Sequence, residues 1–218
     1  MLKAEYKKLV EMEPDNDSVS QIDRDLGRTF PRHPYFKEEL GGNGHRKLRR
    51  VLIAFSNLEP EVRYVQGMNF IVAQLLLHCS ESFAFWLFVT LIRECSMKEI
   101  YGPQLSGLFK HSLVLEVLIQ ANLPELHARF QRFNLRANIY AGEWIFGLFA
   151  SVIPCEHMGA FFDHFFEHRW TYFYQLVLTL FKRHEGEIQC EEDIYNLLRS
   201  VKVAQQEQHQ KELDDVTR

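Results

Sequence analysis

The chain has 218 residues, a length for one large domain or for a domain with a short tail. Hydrophobic residues make up 46% of it and 18 residues are phenylalanine, so it can bury a sizeable core rich in aromatic rings. A formal net charge of −4 disfavours a general nucleic-acid binder, whose signature is a strongly basic face, and no RRM, zinc-finger or basic-region pattern is present.

Hydrophobic periodicity is helical almost throughout. Leu2, Tyr6, Leu9 and Val10 predict a short first helix, and Pro14 to Ser18 a break. Ser18 followed by Gln21 has the form of a capping box, which predicts that a helix starts at Ser18. Pro31 disfavours helical backbone at Phe30, so this helix is expected to end near Arg28 or Thr29. Gly41-Gly42-Asn43-Gly44 predicts a loop. A basic amphipathic helix follows with Leu48, Val51, Leu52 and Phe55 on one face, and Pro60 opens a second break. Apolar helices are predicted from about Gly67 to Cys79 and from Phe83 to Arg93, before a loop at Gly102-Pro103. Leu113, Val117, Leu118 and Ala121 mark the next helix, and Leu126, Phe130 and Phe133 the one after. Glu143 to Ile153 and Met158 to Phe166 predict a pair split at Pro154. Trp170 to Phe181 is another apolar helix, and Ile194, Leu197, Leu198 and Val201 close the series. No run alternates with period two for long, so the class is all-α, with roughly ten helices packed around one another. From Ala204 the chain turns polar, and residues 204–218 read as a frayed helix extension or a disordered tail.

Cys79, Cys95, Cys155 and Cys190 form no C-x-x-C pair, which predicts buried thiols in a reduced intracellular protein. The start, Met1-Leu2-Lys3-Ala4-Glu5, has no signal-peptide core. The apolar stretches Phe70–Leu77 and Phe83–Ile92 are interrupted by His78, Ser80, Glu81 and Ser82 and are too short for a membrane span.

Several groups could carry chemistry. Gly41–Gly44 lacks the G-x-x-x-x-G-K-[ST] spacing and the preceding strand of a phosphate loop, so it predicts no GTP or ATP site. His157, His164 and His168 share one helical stripe, and His164 and His168, four apart, can chelate a metal. The glutamate of an HExxH motif is absent, however, and flanking phenylalanines suggest that these histidines border the buried face, so no metal site is expected. Arg46, Lys47, Arg49 and Arg50 form a basic cluster, read as a solvated helix face with contact to an acidic protein or lipid surface as the alternative.

Two motifs remain. Ile22, Asp25 and Arg28 recur every three residues, so Ile22 can anchor the helix while Asp25 holds the Arg28 guanidinium and limits its rotamers. Such a pair is also an ordinary surface ion pair. Tyr64-Val65-Gln66 precedes a strongly apolar helix, whose free N–H groups and positive dipole end suit phosphate oxygens; Gln66 is equally readable as a capping or buried amide.

At these residues the sequence resembles the TBC-domain family, the GTPase-activating proteins of Rab GTPases. The resemblance rests on Ile22-x-x-Asp25-x-x-Arg28 with Thr29-Phe30-Pro31, then Tyr64-x-Gln66-Gly67-Met68-Asn69, then Tyr140-Ala141-Gly142-Glu143-Trp144, in the family's order. It implies a V-shaped all-helical domain over residues 1–203, followed by the tail at 204–218. One departure is the family's opening helix with an arginine and a tryptophan, which is not found before Ser18; Met1–Glu13 is short and differs.

The resemblance also implies roles. Arg28 would be an arginine finger that stabilises charge as the γ-phosphoryl departs, and Gln66 would orient the attacking water. Tyr64 would place the Gln66 backbone and contact the partner, and Asp25 would support Arg28. GTP and Mg2+ would sit on a Rab-family GTPase in its GTP-bound state, so no cofactor is expected on this chain. A cytoplasmic activator of an enzyme is implied, peripheral on intracellular membranes through its partner and acting in vesicle trafficking. The alternative is a scaffold that binds a Rab without catalysis.

Overall fold

A computed structural model describes residues 2–37, 39 and 41–197, and among these there is no strand. The predicted tail at 204–218 and the predicted apolar positions Leu198 and Val201 lie outside the described residues.

The first helix, α1 (Leu2–Glu11), turns Tyr6 and Leu9 into the core. The second, α2 (Asn16–Leu26), starts earlier than the Ser18–Gln21 pair predicts, because Asp15 is its cap. The Asp15 carboxylate accepts from the Ser18 N–H at 3.0 Å and from its hydroxyl at 2.8 Å. Ser18 is therefore the residue that is capped, and Asp15 satisfies one of the orphan donors at the helix start.

In α3 (Gly44–Leu58) the predicted face of Leu48, Val51, Leu52 and Phe55 is fully buried. Gly44 begins this helix against Phe36, whose ring would lie 2.6 Å from a Cβ added there. The glycine loop thus serves close packing. The basic face of α3 is not simply solvated. Arg49 forks onto Asp23 of α2 at 2.6 and 3.1 Å, and Arg50 onto Glu81 at 2.7 and 2.6 Å. Glu81 also accepts from the Tyr6 hydroxyl at 2.6 Å, so one carboxylate ties α1 and α3 to the helix that Glu81 begins.

The apolar helices α4 (Met68–His78) and α5 (Glu81–Glu94) follow, then α6 (Lys98–Tyr101), α7 (Ser106–Asn122), α8 (Pro124–Arg132), α9 (Ala137–Tyr140), α10 (Gly142–Gly147) and α11 (Cys155–His184). Residues 191–197 are helical again. Around α3 pack α1, α2, α4 and α5; around α7 pack α6, α8, α9 and α10; α11 contacts both α4 and α7 and joins the two groups.

Two differences from the predicted elements have physical causes, and one predicted break is found in place. The helix expected over Glu143–Ile153 stops at Gly147, because Leu148 and Phe149 take left-handed backbone at φ 46° and 58°. Packing of Phe149 between Trp144 and Phe173, at centroid distances of 4.9 and 5.0 Å, holds that turn. In α7 the buried stripe is Leu108, His111, Ser112, Leu115 and Ile119, whereas Leu113 and Val117 are 62% and 54% exposed. This helix is apolar on several sides, so periodicity locates it without choosing its face. The α11 span contains a kink at Arg169 (φ 56°, ψ −139°), which separates the two helices predicted before and after it. Cys95 holds the kink: its carbonyl accepts from the Trp170 indole at 2.8 Å and its sulfur from the Arg169 guanidinium at 2.9 Å.

Cys95 and Cys155 are buried, Cys79 is half-buried and Cys190 is exposed. Among the described residues no helix is long and apolar enough to cross a membrane.

Candidate functional site

Arg28 lies two residues beyond the end of α2 rather than on the helix. Gly27 keeps right-handed helical backbone (φ −63°, ψ −21°), so the i, i+3 geometry of Asp25 and Arg28 survives into the exit turn. Both Nε and Nη2 of Arg28 donate to Oδ1 of Asp25 at 2.8 Å. The carboxylate is nearly buried, while the Arg28 side chain is 44% exposed. The guanidinium is thus gripped along one edge and presents the rest of its fork outward.

Asp25 is committed on every acceptor. Its second oxygen, Oδ2, accepts from the buried Tyr64 hydroxyl at 2.5 Å, and its backbone carbonyl from the Thr29 hydroxyl at 2.7 Å. Burial, then the hydrogen bond to Asp25, hold the Tyr64 phenol well above its ordinary range, so it stays neutral and acts as the donor. Thr29 extends the connection: its hydroxyl also accepts from Asn69 Nδ2 at 2.8 Å, and Oδ1 of Asn69 accepts from the Gly67 N–H at 3.0 Å. His45 Nε2 meets the Thr29 carbonyl at 3.0 Å. A continuous run of hydrogen bonds therefore links the Arg28 turn to the Gln66 turn.

Backbone strain flanks both turns. Phe30 has φ 45°, Arg63 has φ 59°, and Gly67 has φ 106°. Positive φ costs a non-glycine residue free energy and persists where surroundings fix it, as at functional sites. Phe30 is fixed by burial against Phe36 and Phe70. Gly67 is backed by α10, with the Phe146 carbonyl 3.7 Å from where a Cβ would stand. The same carbonyl accepts from the buried Tyr101 hydroxyl at 2.5 Å.

Gln66 is exposed and immediately precedes Gly67, the cap of α4. The free N–H groups expected at this helix start are largely taken. Gly67 N donates to Asn69, Met68 N to the Val65 carbonyl at 3.1 Å, and Phe70 N to the Gly67 carbonyl at 3.2 Å. Any anion contact here falls to side chains more than to the helix end.

Gln21, Arg24, Asp25, Arg28 and Gln66 line one groove of about 460 Å³. Its lining carries two guanidinium groups, two amides and one carboxylate already held by Arg28 and Tyr64. That surface suits an anion brought from outside. Three of the four predicted site residues, Asp25, Arg28 and Gln66, line this groove, and the fourth, Tyr64, is buried and reaches it through its hydrogen bond to Asp25. Sequence reasoning missed Thr29, Asn69, Arg24 and Gln21 as members of the site. The polar Thr29 and Asn69 inside the two motifs were the available signal, since buried polar side chains need partners. The third motif is structural: Tyr140 and Trp144 pack on Phe181, and Glu143 accepts from Ser151 at 3.0 Å.

The sequence profile of RabGAP-TBC, the Rab-GTPase-TBC domain, matches residues 2–189. The human Ecotropic viral integration site 5 protein homolog is 31% identical over 187 residues, covering 86% of this chain and 23% of that protein. Mouse TBC1 domain family member 4 is 35% identical over 179 residues, covering 81% of this chain and 14% of that protein. The chain therefore spans less than a quarter of the length of these relatives. The crystal structure of the Chlamydomonas flagellar RabGAP TBC domain superposes with a TM-score of 0.78 at 27% identity, over 96% of this chain and 69% of that one. The Ypt/Rab-GAP domain of Gyp1p has the same fold, with a TM-score of 0.76 at 17% identity over 99% of this chain and 79% of that one.

Proposed function

Because this chain belongs to the Rab-GTPase-TBC domain family, we propose that it accelerates GTP hydrolysis by a Rab-family small GTPase, supplying an arginine and a glutamine to the GTPase's active site. The observation that carries this reading is the shared groove of Arg28 and Gln66, with Arg28 gripped by Asp25. Arg28 is the arginine finger. Its outward fork meets the charge that develops on the transferring phosphoryl group, and the grip of Asp25 lowers the entropy lost on engagement. Gln66 orients the attacking water. Tyr64 and Asp25 position these two groups. GTP and Mg2+ are carried by the partner, which is engaged in its GTP-bound state and brings this chain to the membrane surface on which vesicle trafficking occurs.

An arginine supplied in trans is worth roughly 10³–10⁵ in GTPase rate, which is about 4–7 kcal/mol of barrier. The test is single-turnover GTP hydrolysis by a Rab panel with wild type, Arg28→Ala and Gln66→Ala. At least one Rab is accelerated by wild type, and each substitution removes most of that acceleration. A chain that binds GTP-loaded Rabs and accelerates none of them is a scaffold instead.

A further inference from the structure

We propose that His164, Glu167 and His168 form a binding site for a borderline transition-metal ion such as Zn2+ on the outer face of α11. Two imidazoles one turn apart are a common start for such a site. The HExxH glutamate is absent, as the sequence shows, but the expectation that these histidines border the buried face is overturned: His164 and His168 are exposed, so is Glu167 between them, and the donor atoms of the three lie within 4.8 Å of one another.

The two imidazoles leave the helix side by side, with centroids 6.3 Å apart and planes 15° from parallel. Glu167 Oε2 lies 3.6 Å from His168 Nε2. Zinc–ligand bonds of about 2.0–2.1 Å in a tetrahedron place donors roughly 3.3 Å apart. All three residues are exposed, so their side-chain torsions are the freedom available to close that difference. Phe161, Phe162 and Phe165 bury the inner face of this helical segment and hold it still. Two imidazoles and one carboxylate suit zinc and its neighbours better than Mg2+ or Ca2+, which prefer all-oxygen shells. Three protein ligands leave a fourth position for water or for a group from another molecule. Tyr172, beyond the kink at Arg169, has its ring 5.1 Å from His164, so the ion would sit on the last turn before the kink. His157, the other member of the predicted stripe, stays apart and pairs with Glu156 at 3.4 Å.

This inference stands independently of the Rab reading, and so does its test. Zn2+ is titrated calorimetrically into the reduced full chain, with the exposed Cys190 changed to serine in every arm. Binding of one ion per chain is expected. His164→Ala and His168→Ala should each weaken it by at least ~10-fold, since even the outer partners of a metal ligand are worth that much. Zinc should also raise the melting temperature of the parent chain and leave the His164→Ala/His168→Ala double variant unmoved. Unchanged zinc affinity in the double variant, or no binding by the parent at millimolar zinc, overturns the proposal.

Discussion

Asn69 donates to the hydroxyl of Thr29 across forty positions of sequence, at 2.8 Å and fully buried. This bond sets the Gln66 turn against the Arg28 turn, because Asn69 also receives the Gly67 N–H and Thr29 also donates to the Asp25 carbonyl. Asn69→Ala leaves buried polar groups without partners, each of which costs about 1–3 kcal/mol. A fall in unfolding free energy of that size is expected by urea titration. A loss of stimulated hydrolysis should accompany it, and that loss should shrink in an Arg28→Ala background, where the second finger has nothing left to align with.

Asp25 and Tyr64 separate in the same way. Asp25→Ala releases the Arg28 fork and strands the buried Tyr64 hydroxyl, so hydrolysis should fall close to the level of Arg28→Ala. Tyr64→Phe removes a single hydrogen bond from the carboxylate and leaves Arg28 gripped. Its expected effect is under about 10-fold, or about 1.4 kcal/mol. Single-turnover rates at saturating activator check both.

Gly67 tests the strained turn. At φ 106° an alanine is conformationally disfavoured even though the nearest atom to its Cβ would be 3.7 Å away. Gly67→Ala should cost about 1–2 kcal/mol of stability, the usual scale for positive-φ backbone in an L-residue. It should lower Gln66-dependent hydrolysis more than it lowers Rab binding.

Stability should depend on pH through two histidines. Burial lowers the pKa of both His33 and His111 to about 4 from an ordinary 6.5. His111 is stacked on Trp170 at 3.6 Å and shares a 2.6 Å hydrogen bond with the Tyr174 hydroxyl. A depressed histidine pKa means that the unfolded chain takes up the proton first. The contribution is whole above pH 6.5 and is lost progressively as pH falls toward 4. Urea midpoints should decline across that window, and His111→Gln should decline less steeply than wild type.

Much of the fold is legible because α3 and the two halves of α11 carry clear apolar faces, and the face of Leu48, Val51, Leu52 and Phe55 is the one that α3 buries. The face of α7 was not legible, because Leu113 and Val117 satisfy the same spacing as the buried Leu115 and Ile119. The early end of α10 was not legible either, since nothing local forces Leu148 and Phe149 into left-handed backbone; the ring cluster with Trp144 and Phe173 does. At the groove, the Asp25–Arg28 pair followed from spacing alone. The contact of Asp25 with Tyr64 and of Thr29 with Asn69 depends on how α2 packs beside α4, which no local pattern encodes.

The central claim is that Arg28 acts on the transition state of a Rab's own reaction. The most direct test is binding to a responsive Rab loaded with GDP and aluminium fluoride, compared with the same Rab loaded with GDP. Wild type should bind the fluoride state more tightly, because a finger that engages developing charge favours a mimic of that charge. Arg28→Ala should lose the increment, and Arg28→Lys should lose it too, since an ammonium cannot reproduce the planar fork. An Arg28→Ala variant that binds the fluoride state as tightly as wild type and still accelerates hydrolysis would contradict the account.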